Sequence, residues 1–293
     1  MAKVYFTKEI SSSSLIRIYE ALWVQLNWKV AVKISTWEPG WHNYLKPELI
    51  WDLVKKLNGT IVECNTAYPW RRNTAEDHLK AAAEHWFTAI ADVDIMDWES
   101  EMEIPANGKH LDVDIVWKHL ENYDSMLNLA HFKWHAMWWF GWVLKNQSIG
   151  IASRNGKSYI HTAWKTRNPD ELRQNLPQQD DFLESMAEAA KAVADYFKNQ
   201  NKTILYIDVM NNLSVDCDCD SDPEDPCMSD IGILASIDPV ALDQAAIDKI
   251  WASEDRWRDH FIQRVERQNW RHILPYAQEI WLWSRQYELV ELD

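Results

Sequence analysis

Nineteen tryptophans stand in a chain that has only seven glycines, and no other feature constrains the fold as much. At about 7% of an ordinary chain, glycine should occur about 20 times in a sequence of this length. Glycine marks turns and helix ends where φ is positive, whereas tryptophan prefers strands and half-buried surfaces. The tryptophans nevertheless sit where glycines belong. Asn58-Gly59, Asn107-Gly108 and Asn155-Gly156 are ordinary Asn-Gly turn signals, and Asn27-Trp28 and Asn269-Trp270 occupy the same kind of junction. Pro69-Trp70 and Asp97-Trp98 stand in place of Pro-Gly and Asp-Gly turns, and Trp86 follows a helical run at the position of a left-handed cap. Trp37 and Trp41 flank Pro39-Gly40, and Trp281-Leu282-Trp283 closes another helix.

A left-handed backbone costs a bulky residue about 1–2 kcal/mol. Ten such sites would absorb about 10–20 kcal/mol, as much as the whole net stability of a domain. The expectation is therefore that the gene uses UGA as a glycine codon and that most of these tryptophans stand where the cell places glycine. In the chain as written, several of Trp28, Trp41, Trp70, Trp86, Trp98 and Trp270 should have positive φ or lie exposed on turns. A truly tryptophan-rich carbohydrate or aromatic-ligand binder is the competing reading.

The charge balance, 30 Lys+Arg against 45 Asp+Glu for a net of −15, argues against a nucleic-acid backbone or an anionic membrane as partner, because both select basic surfaces. The opening residues have no apolar run, and no window approaches the ~18 apolar residues of a membrane span, so a cytoplasmic protein is expected. Four cysteines do not make a disulfide framework in a reducing compartment.

Strand-like and helical stretches alternate. Strands are expected at 3–7, 29–35, 60–64, 88–94, 125–131, 204–210 and 230–236, with helices at 13–26, 44–57, 74–85 and 180–197. A further helix starts with Asp238 as N-cap and Pro239 at its first position. This rhythm predicts one α/β domain over 1–293, a mostly parallel sheet with helices on both faces. Residues 252–293, helical and polar with a last strand in "QYELVEL", read as an edge extension of it.

Three cysteines crowd into "VDCDCDSDPEDPC": Cys217, Cys219 and Cys227. Soft thiolates in one loop suit an iron–sulfur cluster or zinc, although the spacing matches no common zinc or ferredoxin pattern, and an acidic loop is often merely solvated. A fourth ligand would come from Cys64, His131 or His135. The two histidines follow a strand and lie at the carboxyl edge of a parallel sheet, where sites collect. Read with glycines at 134, 138, 139 and 142, the stretch "HFKWHAMWWFGWVLKN" becomes a glycine-rich loop running from a strand into a helix. Such a loop can present backbone N–H groups and a helix N-terminus to an anion. Lys33, Lys133, Gly141, Lys145 and Asn146 are the candidate ligand-binding residues around it, and close packing is the plainer reason for glycine there.

With glycine restored, "KVAVKIST", the "NLAHFK…VLKN" loop, "SRNGK", "VDCDCD…PC" and "DIGILASIDPVALDQA" together resemble the bacterial and archaeal family known as domain of unknown function 362. Some of its members are fused to, or occur alongside, ferredoxin-type four-iron four-sulfur modules. The resemblance covers nearly the whole chain and implies an α/β domain with an iron–sulfur or metal association. It maps the family's cysteines and histidines to Cys217, Cys219, Cys227, His131 and His135. The chain departs from the family in lacking an appended C-x2-C-x2-C segment and in carrying Trp for Gly. The functional expectation is a redox or electron-transfer protein that takes a small-molecule ligand or a redox partner protein. The alternatives are a zinc-stabilised binding module and a metal-free hydrolase or isomerase using His131 and His135.

Overall fold

A computed structural model describes residues 1–293 except 41, 99, 135–139, 215–224, 267–268 and 282. The chain runs β1 (Ala2–Thr7), α1 (Ser12–Glu20), β2 (Val30–Lys33), α2 (Pro47–Leu57), β3 (Thr60–Glu63), α3 (Ala75–Glu84), β4 (Val93–Ile95). A hairpin of β5 (Glu101–Pro105) and β6 (Val113–Trp117) precedes β7 (Ser125–His131) and the short β8 (Lys133–Trp134) and β9 (Phe140–Gly141). Then come α4 (Val143–Gln147), α5 (Arg154–His161), α6 (Gln179–Asn199), β10 (Thr203–Met210), β11 (Gly232–Ser236), α7 (Pro239–Ala252), α8 (Arg258–Glu266), α9 (Ile273–Trp281) and β12 (Tyr287–Glu291).

The main sheet has the order β12-β1-β11-β10-β7-β2-β3-β4. Its pairings are parallel except where β11 enters, antiparallel to β1 and to β10. It is thus the mostly parallel α/β sheet that the alternation predicts, with β12 on the edge. Strand alternation divides the core between two faces. Val32, Leu127, Leu129 and Ile207 pack toward α1 and α2, whereas Ala31, Met126, Ala130 and Tyr206 pack toward α4, α6 and α7. Among the described residues no helix is long and apolar enough to cross a membrane.

Local chemistry sets the element ends. Ser11 caps α1 by accepting from Ser14 N at 3.1 Å, and Asp238 caps α7 by accepting from Ala241 N at 2.9 Å with Pro239 next in line. Two expectations need correction. The strand expected at 88–94 is a 3-10 turn over Phe87–Ala89 followed by the three-residue β4, because Trp86 enters it at φ 67° and buried Phe87 anchors the turn in the core. The first helix stops at Glu20 rather than 26, since Trp23 has φ 55°.

Among the described residues, positive φ outside glycine falls on Trp23, Trp28, Trp37, Trp86 and Trp164, on five asparagines, and on Ala163. Trp28 is 86% exposed and Trp86 68%. Trp70 and Trp98 are exposed as well. Trp41 and the Trp270 side chain lie outside what is described.

Candidate functional site

The chain visits β3 and β4 on one side of β2, then returns to place β7 on its other side. Its crossovers leave from opposite faces of the sheet there, and such a switch point opens a crevice beyond the carboxyl ends of the strands. A cavity of about 120 Å³ occupies this place. Lys33 from the end of β2, Glu63 at the end of β3 with Cys64 just after it, and Ala130 and His131 from β7 form its floor, and Arg72, Lys145, Asn146 and Lys157 its sides. Four cationic side chains against one carboxylate line a cavity in a chain whose net charge is −15.

Each group is held. Lys33 Nζ donates to Glu63 Oε2 at 2.8 Å, to Asn146 Oδ1 at 3.1 Å and to Ile34 O at 2.5 Å. Asn146 in turn donates through Nδ2 to Lys33 O and to Asn128 Oδ1, so α4 is tied to β2 and β7. The other oxygen of Glu63 accepts from Thr36 N at 2.8 Å and from Arg72 Nη1 at 3.4 Å, while Arg72 Nε reaches Glu38 at 3.0 Å. Burial alone would raise the Glu63 carboxyl, but Lys33, His78 and Arg72 together hold it well below the usual carboxylate range. It is an anion throughout the neutral range, and it makes the buried lysine and arginine tolerable.

Lys157 sits differently. Gly156 lets α5 touch β6 backbone to backbone, since a Cβ there would meet Ile115 O at 2.0 Å. That contact seats Lys157, 6% exposed, in the cavity wall. Its Nζ donates to Ala152 O at 2.6 Å, and the Cys64 thiol donates to the neighbouring Ile151 O at 3.5 Å. Burial lowers the Lys157 ammonium from its ordinary value and raises the Cys64 thiol far above its own. The thiol is therefore protonated. Burial also pushes Asp97, which accepts from Asn65 N at 2.7 Å, up to about 7.

The candidates read from sequence divide. Lys33, Lys145, Asn146, His131 and Cys64 meet on this cavity. Lys133 does not: its ammonium turns to Asn212 O and lies 5.0 Å over the Trp37 ring. Gly141 pairs with Lys133 in the β8–β9 ladder. The N-terminus of α4 is also not offered to a ligand, a correction to the glycine-loop expectation. Val143 N and Leu144 N both donate to the Asp243 carboxylate at 3.2 Å, which is buried beside Asp208, another fully buried carboxylate.

Cys217, Cys219 and His135 lie outside the described residues. Among the described residues no three His, Cys, Asp or Glu side chains form a metal-holding group. The cysteine loop does leave from and return to the carboxyl end of β10. Leu213 bridges Met228, and Cys227 N donates to Leu213 O at 3.0 Å. His131, opposite Val209 in register, lies beside it, with Nε2 at 2.9 Å from Asn211 O and Nδ1 buried without a partner. Burial, followed by the Lys133 charge, holds this imidazole neutral.

Sequence reasoning missed Glu63, Arg72 and Lys157. One signal was present: β2 and β3 are buried strands that each end on a charge, "VAVK" and "TIVE".

A family model described as Domain of unknown function (DUF362) matches residues 30–248. No curated protein matches the chain. Among solved structures, the lactate racemase apoprotein from Thermoanaerobacterium thermosaccharolyticum is similar at 13% identity and a TM-score of 0.45, over 84% of this chain and 56% of that one. A protein from Thermotoga maritima is similar at 9% identity and a TM-score of 0.39, over 92% and 58%. The chain thus spans somewhat over half the length of each.

Proposed function

The chain belongs to the family described as a domain of unknown function (DUF362), and from that premise we propose that it holds a small organic anion in the cationic cavity, beside a metal or iron–sulfur cluster carried by the cysteine loop. One observation carries the first part: Lys33, Arg72 and Lys145 converge, with Lys157 in the wall, on about 120 Å³ of space at the switch point of an acidic protein. A carboxylate there would exchange its water shell for cations that Glu63 and Asn146 already hold in place, so little reorganisation opposes binding. Lys33 is the fixed point, because Glu63 and Asn146 leave its ammonium no freedom of position.

The metal part is supported by donor chemistry. Three thiolates suit iron or zinc, and His131 donates through Nε2 to a backbone carbonyl while keeping Nδ1 unshared, the hydrogen-bonding habit of metal-ligating histidines. A bound cluster would supply one-electron transfer to a partner protein in the cytoplasm. This chain's own residues would bind the anion, keep water from it and hold the site's charges.

Glycine in place of tryptophan belongs to the same reading. Positive φ at Trp23, Trp28 and Trp86, whose side chains are largely solvent-exposed, and at the half-exposed Trp164 is the conformation that glycine adopts without strain. Peptide mass spectrometry of protein from its native host should read glycine at these positions; tryptophan there would end the recoding idea.

Calorimetric titration of the full chain with oxalate should show one site per chain, weakened at least tenfold in Arg72→Met. No heat of binding would remove the anion pocket. Anaerobically purified protein should carry iron and acid-labile sulfide. Stoichiometric zinc without visible absorbance would make the loop a structural zinc site, and absence of all three would remove the metal.

A further inference from the structure

We propose that Lys157 is a nucleophilic amine that condenses with the carbonyl of a small 2-oxo acid, whose carboxylate is held by Arg72 and Lys145 beside the Lys33–Glu63 pair, to form an imine. This inference rests on the anion-pocket reading and adds the substrate class and the reacting atom.

Lys33 and Lys157 are both buried lysines of one wall, yet their surroundings differ. Lys33 is locked to Glu63 at 2.8 Å. Among the described residues Lys157 makes no ion pair, and its hydrogen bond goes to a neutral carbonyl, Ala152 O. A buried ammonium without a carboxylate loses hydration and gains no counter-charge, so the free amine is favoured. The groups within electrostatic reach of it are Cys64, Asp97, Lys33 and Glu63, with Asp114 from β6 behind. Of these, Lys33 and Glu63 offset each other, and the Cys64 thiol is uncharged. Burial thus acts oppositely on the two nucleophile candidates in the wall. It holds Cys64 as the unreactive thiol and shifts Lys157 toward the reactive amine.

The chemistry balances without an oxidant. The Lys157 nitrogen lone pair attacks the carbonyl carbon, a C–N bond forms, and the C=O π pair moves to oxygen, which takes a proton. That proton comes from the new ammonium nitrogen; the carbinolamine nitrogen then pushes in its lone pair as the hydroxyl takes up a proton and leaves as water, and the iminium N–H proton passes to solvent, leaving C=N. A 2-oxo acid of few heavy atoms matches the cavity volume, and the carbonyl next to its carboxylate would lie between the cations and Lys157.

The test is reductive trapping. The full chain is incubated with glyoxylate and sodium cyanoborohydride and mapped by peptide mass spectrometry, with oxalate binding measured on the same preparation. The expected result is one adduct per chain on the peptide containing Lys157, formed at least tenfold faster than on exposed lysines and suppressed by oxalate. Lys157→Arg should lose the adduct, and oxalate binding is read on the unsubstituted chain. Oxalate binding with no preferential adduct at Lys157 would overturn the inference and leave the pocket reading standing. Absence of both would overturn the two together. The map of the unsubstituted chain decides the matter even if the variant fails to fold.

Discussion

The two edges of the parallel sheet are built on different principles. At the amino edge, helices turn back into strands through left-handed residues: Trp23 and Trp28 before β2, Asn58 before β3, Trp86 before β4 and Asn201 before β10. The demand there is purely geometric, a reversal of the chain within a few residues, and the side chains at Trp23, Trp28 and Trp86 simply stand in solvent. At the carboxyl edge the same strands end on buried charge, with Lys33, Glu63 and Arg72 locked together and Lys157 without an ion pair among the described residues. One edge selects for backbone conformation and the other for chemistry. A substitution at the first should change stability alone, and at the second it should change binding as well.

The strongest way to break this contrast is Glu63→Gln. It leaves Lys33 and Arg72 buried without their shared anion and should cost about 3–5 kcal/mol in denaturant unfolding, together with the loss of oxalate binding order at the site. A cost as small as that of a surface change would mean the ion network contributes no cohesion. Asp114→Asn tests a buried charge of the β5–β6 hairpin, within electrostatic reach of Lys157, through pH. Asp114 is wholly buried and its carboxyl is pushed up to about 7. Between about pH 4 and 7 the unfolded chain binds fewer protons at this position than the folded chain, so its contribution to stability falls as pH rises and is flat above that window. The variant should match the parent near pH 3 and exceed it near pH 8 by up to about 4 kcal/mol; a difference independent of pH would refute the assignment. At the amino edge, Trp28→Gly and Trp86→Gly should each stabilise by about 1 kcal/mol, relief of left-handed strain partly offset by the freer unfolded chain. Neither should alter oxalate affinity, and a binding change in either would blur the division between the edges.

Much of the fold was legible because its signals are local. Asp238-Pro239 marks a helix start by capping chemistry alone, and the all-buried β7 reads as an apolar run. The 3-10 turn after Trp86 and the reversed β11 were less legible, since neither leaves a period in the sequence. The site was half legible. Lys33 and Asn146 attract notice from their place at strand and helix ends, but Lys133 has the same local setting and ends on Asn212. Arg72 lies in a loop and Lys157 in a short polar helix, where a charge ordinarily reads as solvated.

By itself the sequence determined the alternation of strands and helices, the acidic balance, the family and some of the left-handed turns, Trp28 and Trp86 among them, because each depends on residues near one another in the chain. Tertiary structure alone decided which charges share a cavity. Lys33 and Asn146, 113 residues apart, meet only because β7 returns beside β2. Whether a buried lysine is an ion-pair partner or a free amine depends on which carboxylate comes within hydrogen-bond reach, a matter of distance in space that sequence separation does not encode.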